Sequence, residues 1–315
     1  MDSGLRRNDG WDTGRIAAKR AAMTDPVPPN RVFPPARQEA EAANQPTPSA
    51  QTEHGAYRLA FQDMDFLLRE DLRPVRFQLE LLKPELLLDE ARIGSTFVFY
   101  GSARIPEPAK VDALIAAAAT DQQRRIAERL KAKGKYYEEA RSLARLASRC
   151  DPDESGQRHF VVCSGGGPSI MEAANRGAHD EGAESVGLNI VLPHEQMPNP
   201  YVTPGLSFQF HYFALRKMHF LLRARAVAIF PGGFGTFDEA FELLTLVQTG
   251  KVKPLPILFF GREFWERVVD FDALVEEGVV APDDLKLFNF VDSADEAWKH
   301  VCDYYAAKNE QVTCR

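Results

Sequence analysis

The residues of this sequence best suited to chemistry on an anionic substrate are a cation pair, Arg216-Lys217, and a carboxylate, Glu239. Glu242 lies three residues beyond Glu239, so both acids share a face if the segment is helical and can address neighbouring hydroxyls. Three small-residue turns accompany them: Gly101-Ser102-Ala103-Arg104, Ser164-Gly165-Gly166-Gly167-Pro168-Ser169 and Pro231-Gly232-Gly233-Phe234-Gly235-Thr236. Glycine lets a backbone approach a phosphate with no Cβ between them, and a helix starting there offers free N–H donors and a favourable dipole end. A hydroxyl such as Ser102 or Thr236 can add one more donor. Each turn taken singly also reads as a tight strand-to-helix connection needing glycine for geometry. The charges likewise read as solvated cations and acids near a helix N-terminus. Three such turns on one sheet edge favour anion binding.

Those turns need strands before them and helices after them. Short apolar runs predict strands at 96–100, 159–163, 186–191, 226–230 and 256–260, and apolar periodicity predicts helices at 125–149, 169–181, 215–223, 237–249, 263–277 and 294–308. A helix from 237 puts Glu239 in its first turn. Alternating strands and helices imply an α/β fold, a Rossmann-like doubly wound parallel sheet with flanking helices, whose ligands collect beyond the carboxyl ends of the strands. Residues 1–53 are rich in Pro, Ala, Gln, Arg and Asn and are expected to be disordered. Residues 54–92 carry apolar residues at helical spacing, interrupted by Pro74 and Pro84, and predict an N-terminal helical extension; the nucleotide-binding catalytic domain is expected over 93–310. The aromatic run Phe208, Phe210, Tyr212 and Phe213 either fills the core or offers an apolar surface for self-association.

With a net charge of −7, the chain is not a non-specific nucleic-acid binder, so an anionic ligand must be held locally. Cys150, Cys163, Cys302 and Cys314 form no CxxC pair and have no His at zinc spacing, so four reduced thiols and no metal are expected. No apolar run approaches the roughly 20 residues of a membrane helix, and no apolar leader opens the chain, which predicts a cytoplasmic protein with no membrane partner. No turn has the Lys of a Walker A loop or spells G-x-G-x-x-G.

Pro231–Glu239 fits P-G-G-x-G-T-x-x-E, and with the preceding Arg216-Lys217 it resembles the LOG proteins, cytokinin riboside 5′-monophosphate phosphoribohydrolases long labelled lysine decarboxylases. The resemblance runs from about 96 to 270 and includes the Gly101-Ser102 turn and the Gly-rich turn leading to Met171-Glu172-Ala173-Ala174; Asp238 stands where the family has its usual second acid. The resemblance implies hydrolysis of the N-glycosidic bond of a nucleoside 5′-monophosphate, with Arg216 and Glu239 catalytic. It places the 5′-phosphate on Gly232, Gly233, Gly235 and Thr236, with Lys217 and Ser102 beside them. It places the rest of the nucleotide near Gly101, Gly165, Gly166, Gly167, Met171 and Glu242. It further implies no cofactor, no metal, a small-molecule nucleotide as the partner, no nucleic acid, and a homodimer or higher oligomer. The alternatives are a non-catalytic nucleotide or cofactor carrier of the same fold and a pyridoxal-dependent decarboxylase, whose Schiff-base lysine and pyridinium acid are not evident.

Overall fold

The computed structural model describes residues 33–44, 47–193 and 197–309. They divide into two compact units after Arg76. In the first, the segment expected to be irregular contains an eight-residue helix, α1 (Ala36–Ala43), which buries none of its residues; residues 1–32 of that expectation lie outside the described residues. Short 3-10 turns lead to α2 (Met64–Leu67), capped by Asp63 Oδ1 accepting from Phe66 N at 3.2 Å.

The division falls within α3 (Arg73–Glu90), a single 18-residue helix despite its two prolines. Pro74 sits in the first turn, where an N–H has no intrahelical acceptor, so it costs nothing. Pro84 leaves Glu80 O without its i+4 donor, and His219 Nε2 takes that place at 3.1 Å. The Glu80 carboxylate accepts from His211 N and Tyr212 N, at 2.9 and 3.2 Å, at the start of α8 (Phe213–Leu222). Arg223 donates to Glu85 and Asp89 at 3.0 and 2.7 Å. The part of α3 beyond Arg76 thus grips α8, which carries Arg216.

The second unit is built on seven parallel strands: β1 (Thr96–Tyr100), β2 (Val161–Ser164), β3 (Val186–Ile190), β4 (Ser207–Phe210), β5 (Ala224–Ile229), β6 (Ile257–Phe260) and β7 (Asn289–Val291). Their order is β4-β3-β2-β1-β5-β6-β7, so the winding reverses between β1 and β5, where such sheets open a crevice. Phe97 and Phe99 of β1 bury one face, together with residues of α6 (Lys135–Ala147), α7 (Ile170–Asp180) and α12 (Ala294–Ala306). Val98 and Tyr100 bury the other, with Leu88 of α3, Phe220 of α8 and Leu243 of α9 (Phe234–Gln248). The remaining helices are α4 (Val111–Ala116), α5 (Asp121–Lys133), α10 (Arg262–Val268) and α11 (Phe271–Glu276).

The structure decides between the two readings of the aromatic run and corrects four other sequence expectations. The aromatic run is not a surface: Phe208 and Phe210 are buried on β4, and Tyr212 stacks on Phe77 at 4.0 Å, leaving Phe213 exposed. The helix expected over 125–149 is broken at Gly134 into α5 and α6, and that over 263–277 is broken ahead of α11, where Asp270 caps Ala273 N at 3.0 Å. Helix α9 begins at Phe234, three residues early, so Glu239 stands in its second turn. Cys150 is disulfide-bonded, while Cys163 and Cys302 are free. Among the described residues no helix is long and apolar enough to cross a membrane.

Candidate active site at the sheet switch point

The three turns follow three adjacent strands, β2, β1 and β5, and Ser102 ties them together. Its N–H donates to Pro231 O at 3.1 Å, and its carbonyl accepts from Ile170 N, the first residue of α7, at 3.4 Å. Ser102 Oγ accepts from Arg104 N at 3.0 Å, within its own turn.

The turn after β2 is held by buried polar side chains that sequence reading did not single out. Ser164 Oγ donates to Asn175 Oδ1 at 2.7 Å and accepts from Gly166 N at 3.1 Å. Asn199 donates from Nδ2 to Gly166 O, Gly167 O and Asn175 Oδ1, at 3.1, 3.0 and 2.9 Å. Gly166 has a φ of +71° and, were it to carry a Cβ, would meet Asn189 Oδ1 at 2.4 Å, so glycine is required there twice over. Asn199 lies more than 30 residues from the turn it fixes, so no local spacing announces it.

The glycines assigned to ligand divide by what surrounds them. Gly101 faces Ile170, whose Cγ2 would be 2.7 Å from a Cβ, so its smallness serves the packing of α7. Gly232 lies against Thr236, whose buried hydroxyl would be 2.1 Å from a Cβ. Gly233 and Gly235 have nothing within 4 Å of that position, leaving the backbone at the start of α9 open to an approaching anion. Phe234 between them is 97% exposed.

Arg216 and Glu239 come together from α8 and α9. Arg216 Nη1 is 3.7 Å from Glu239 Oε1, with side chains only 11% and 14% exposed; this is ion-pair distance without a hydrogen bond. Arg216 Nε donates to Leu188 O on β3 at 2.7 Å, and the guanidinium lies 5.2 Å over the Phe220 ring. A Cβ at Gly165 would be 2.5 Å from Arg216 Nη2 and 2.7 Å from Met171 Sδ, which places Gly165 and Met171 against the guanidinium. Burial pushes the Glu239 carboxyl up to about 7; Arg216 opposes the shift and Asp238 adds to it. Burial also lowers the Arg216 pKa against the pull of Glu239. Tyr100, buried at the end of β1, has its phenol raised by burial and then by the charge of Glu239. A carboxyl that ionises near neutrality beside a fixed cation is suited to proton transfer and to stabilising developing positive charge.

Lys217 does not stand with Arg216. Its ammonium lies 3.2 Å from Asp238 Oδ1 and 3.2 Å from Glu242 Oε2, so Lys217 and Glu242 are engaged with each other in this structure. Among the described residues no group of three His, Cys, Asp or Glu side chains is placed to hold a metal ion.

Comparison with known proteins matches residues 171–301 to a family model described as "Possible lysine decarboxylase". The cytokinin riboside 5′-monophosphate phosphoribohydrolase LOG3 of Arabidopsis thaliana is 27% identical over 158 residues, covering 49% of this chain and 72% of that protein. LOG4 of the same plant is 26% identical over 147 residues, covering 46% and 67%. Among solved structures, that of TM1055 aligns with a TM-score of 0.41 at 18% identity, over 66% of this chain and 98% of that one. The molybdenum cofactor carrier protein of Chlamydomonas reinhardtii aligns with a TM-score of 0.38 at 15% identity, over 67% and 99%. The sequence matches bear out the resemblance read from Arg216-Lys217 and Pro231–Glu239: over about half its length the chain is similar to the LOG proteins.

Proposed function

We propose that this protein hydrolyses the N-glycosidic bond of a nucleoside 5′-monophosphate, AMP or a cytokinin riboside 5′-monophosphate, to the free base and ribose 5-phosphate. The observation that carries the reading is the Arg216–Glu239 pair, mostly buried at 3.7 Å beside the open N-terminus of α9. In this reading the 5′-phosphate sits on the N–H groups around Gly233 and Gly235, with Arg216 adding charge. The C1′–N bond breaks with its electrons leaving on the base, positive charge builds on the ribose, and water adds at C1′. Glu239 as carboxylate stabilises that charge and accepts the proton of the attacking water. The leaving base is protonated from solvent, since an arginine is too weak an acid to supply the proton. Activity therefore rises with pH as Glu239 ionises around 7.

A decarboxylase reading would need a lysine free to form a Schiff base, whereas Lys217 is bridged to two carboxylates. The test is incubation with AMP, followed by quantitation of adenine and ribose 5-phosphate. Equimolar release supports the reading. Binding of AMP with no release of either product would assign the site to a carrier.

A further inference from the structure

Lys217 and its two acids form a second charged cluster next to the Arg216–Glu239 pair, and the two clusters share their helices. Asp238 and Glu242 are one turn apart on α9 and flank Glu239 in sequence. Both contact the single Lys217 ammonium at 3.2 Å, from the residue next to Arg216 on α8. The lysine side chain is 18% exposed and the Asp238 side chain 56%, so the cation is anchored inside and one of its anions reaches solvent. One cation therefore spans one turn of the helix that presents Glu239 and fastens it to the helix that presents Arg216.

We propose that Lys217 is a positioning residue, held by Asp238 and Glu242 so that its ammonium joins Arg216 as a second cation facing Glu239. The inference rests on the phosphoribohydrolase reading, which requires that carboxylate to be charged, and gives Lys217 a role distinct from holding phosphate. The groups facing Glu239 are Arg216 and Lys217 from α8, Tyr100 from β1, and Asp238 and Glu242 from its own helix. The cations favour its ionised form and the acids oppose it. Removing Lys217 or Asp238 therefore moves the ionisation of Glu239 in opposite directions, which loosened packing alone would not do.

The experiment titrates the Glu239 carboxyl by 13C NMR in the full chain, its resonance identified by its loss in Glu239→Gln. Lys217→Met is expected to raise the midpoint, and Asp238→Asn to lower it, each by about half a pH unit. Asp238 is exposed enough that its isosteric variant keeps the fold even if Lys217→Met does not. Superimposable titrations, or a midpoint moving the same way in both variants, overturn the proposal. Adenine release from AMP is measured on the same samples. An unchanged chain that releases none rejects the catalytic reading, while the titration, which needs no turnover, still decides whether Lys217 acts on Glu239.

Discussion

Glu239 and Arg216 are adjacent in space but play different parts, and substitution separates them. Glu239→Gln keeps shape and hydrogen-bonding capacity, and the ground-state ribose is neutral, so the lost charge is felt as the oxocarbenium-like state forms. The expected result is a fall in kcat of about 10²–10³ with AMP affinity nearly unchanged, read by base-release kinetics and titration calorimetry. Arg216→Ala is expected to weaken AMP binding as well, because a phosphate contact exists before the bond breaks. Near-normal kcat in Glu239→Gln would remove the mechanism. Burial also links Glu239 to stability. Its folded pKa, about 7, lies above the ordinary 4.5, so its stabilising contribution is whole below about pH 4.5 and is lost as pH rises through 7. Glutamine cannot ionise, so the Tm of Glu239→Gln relative to the parent should climb between about pH 5 and pH 8, by at most about 3 kcal/mol in stability. A difference that is flat with pH would contradict the buried carboxyl. Sequence identified both residues by type and motif, yet their juxtaposition could not be read from spacing, because it depends on how α8 and α9 cross. Lys217 was grouped with Arg216 for the same reason, though successive helical residues point in different directions and its partners lie on α9.

At the scale of elements, the turn after β2 must be empty of side chain where the guanidinium passes. Gly165→Ala would set a Cβ 2.5 Å from Arg216 Nη2, and Arg216 is anchored at its Nε by Leu188 O, so the guanidinium must shift from its place beside Glu239. The expected outcome is a loss of roughly 10–100-fold in kcat/KM with little change in Tm; an unchanged kcat/KM would show that the close approach has no catalytic meaning. Five of the seven strands were legible as short, mostly apolar runs, and four of them, β1, β2, β5 and β6, lead into a glycine turn. Strand β4 has only Phe208 and Phe210 as apolar residues and β7 only three residues in all, so neither gives a run that outweighs its surroundings. The start of α9 was misplaced because Gly233-Phe234-Gly235 reads as loop, while in the fold Gly235 is a first-turn helical residue, where a missing side chain costs little. Pro84 pointed to a break in α3 that does not occur, since a histidine far along the chain replaces the missing donor.

For the whole molecule, α3 and α8 leave apolar residues in solvent. Leu79, Leu82 and Leu86 are 53%, 53% and 56% exposed and recur at helical spacing on one face, and Met218 and Leu222 of α8 are also exposed. The expected homodimer would cover such a face, and light scattering should report twice the chain mass; a monodisperse monomer of full activity would contradict it. The order β4-β3-β2-β1-β5-β6-β7 sets the site where the winding reverses, and there the open backbone of Gly233 and Gly235 and the Arg216 guanidinium supply more donor capacity than an uncharged nucleoside would use. Whether this edge binds a 5′-phosphate and cleaves the sugar–base bond of the nucleotide bearing it is read by comparing AMP with adenosine at equal concentration and measuring adenine released. Adenine is expected from AMP and, from adenosine, a kcat/KM lower by about 100-fold or more; adenosine turned over as well as AMP, or no adenine from either, would refute this chemistry.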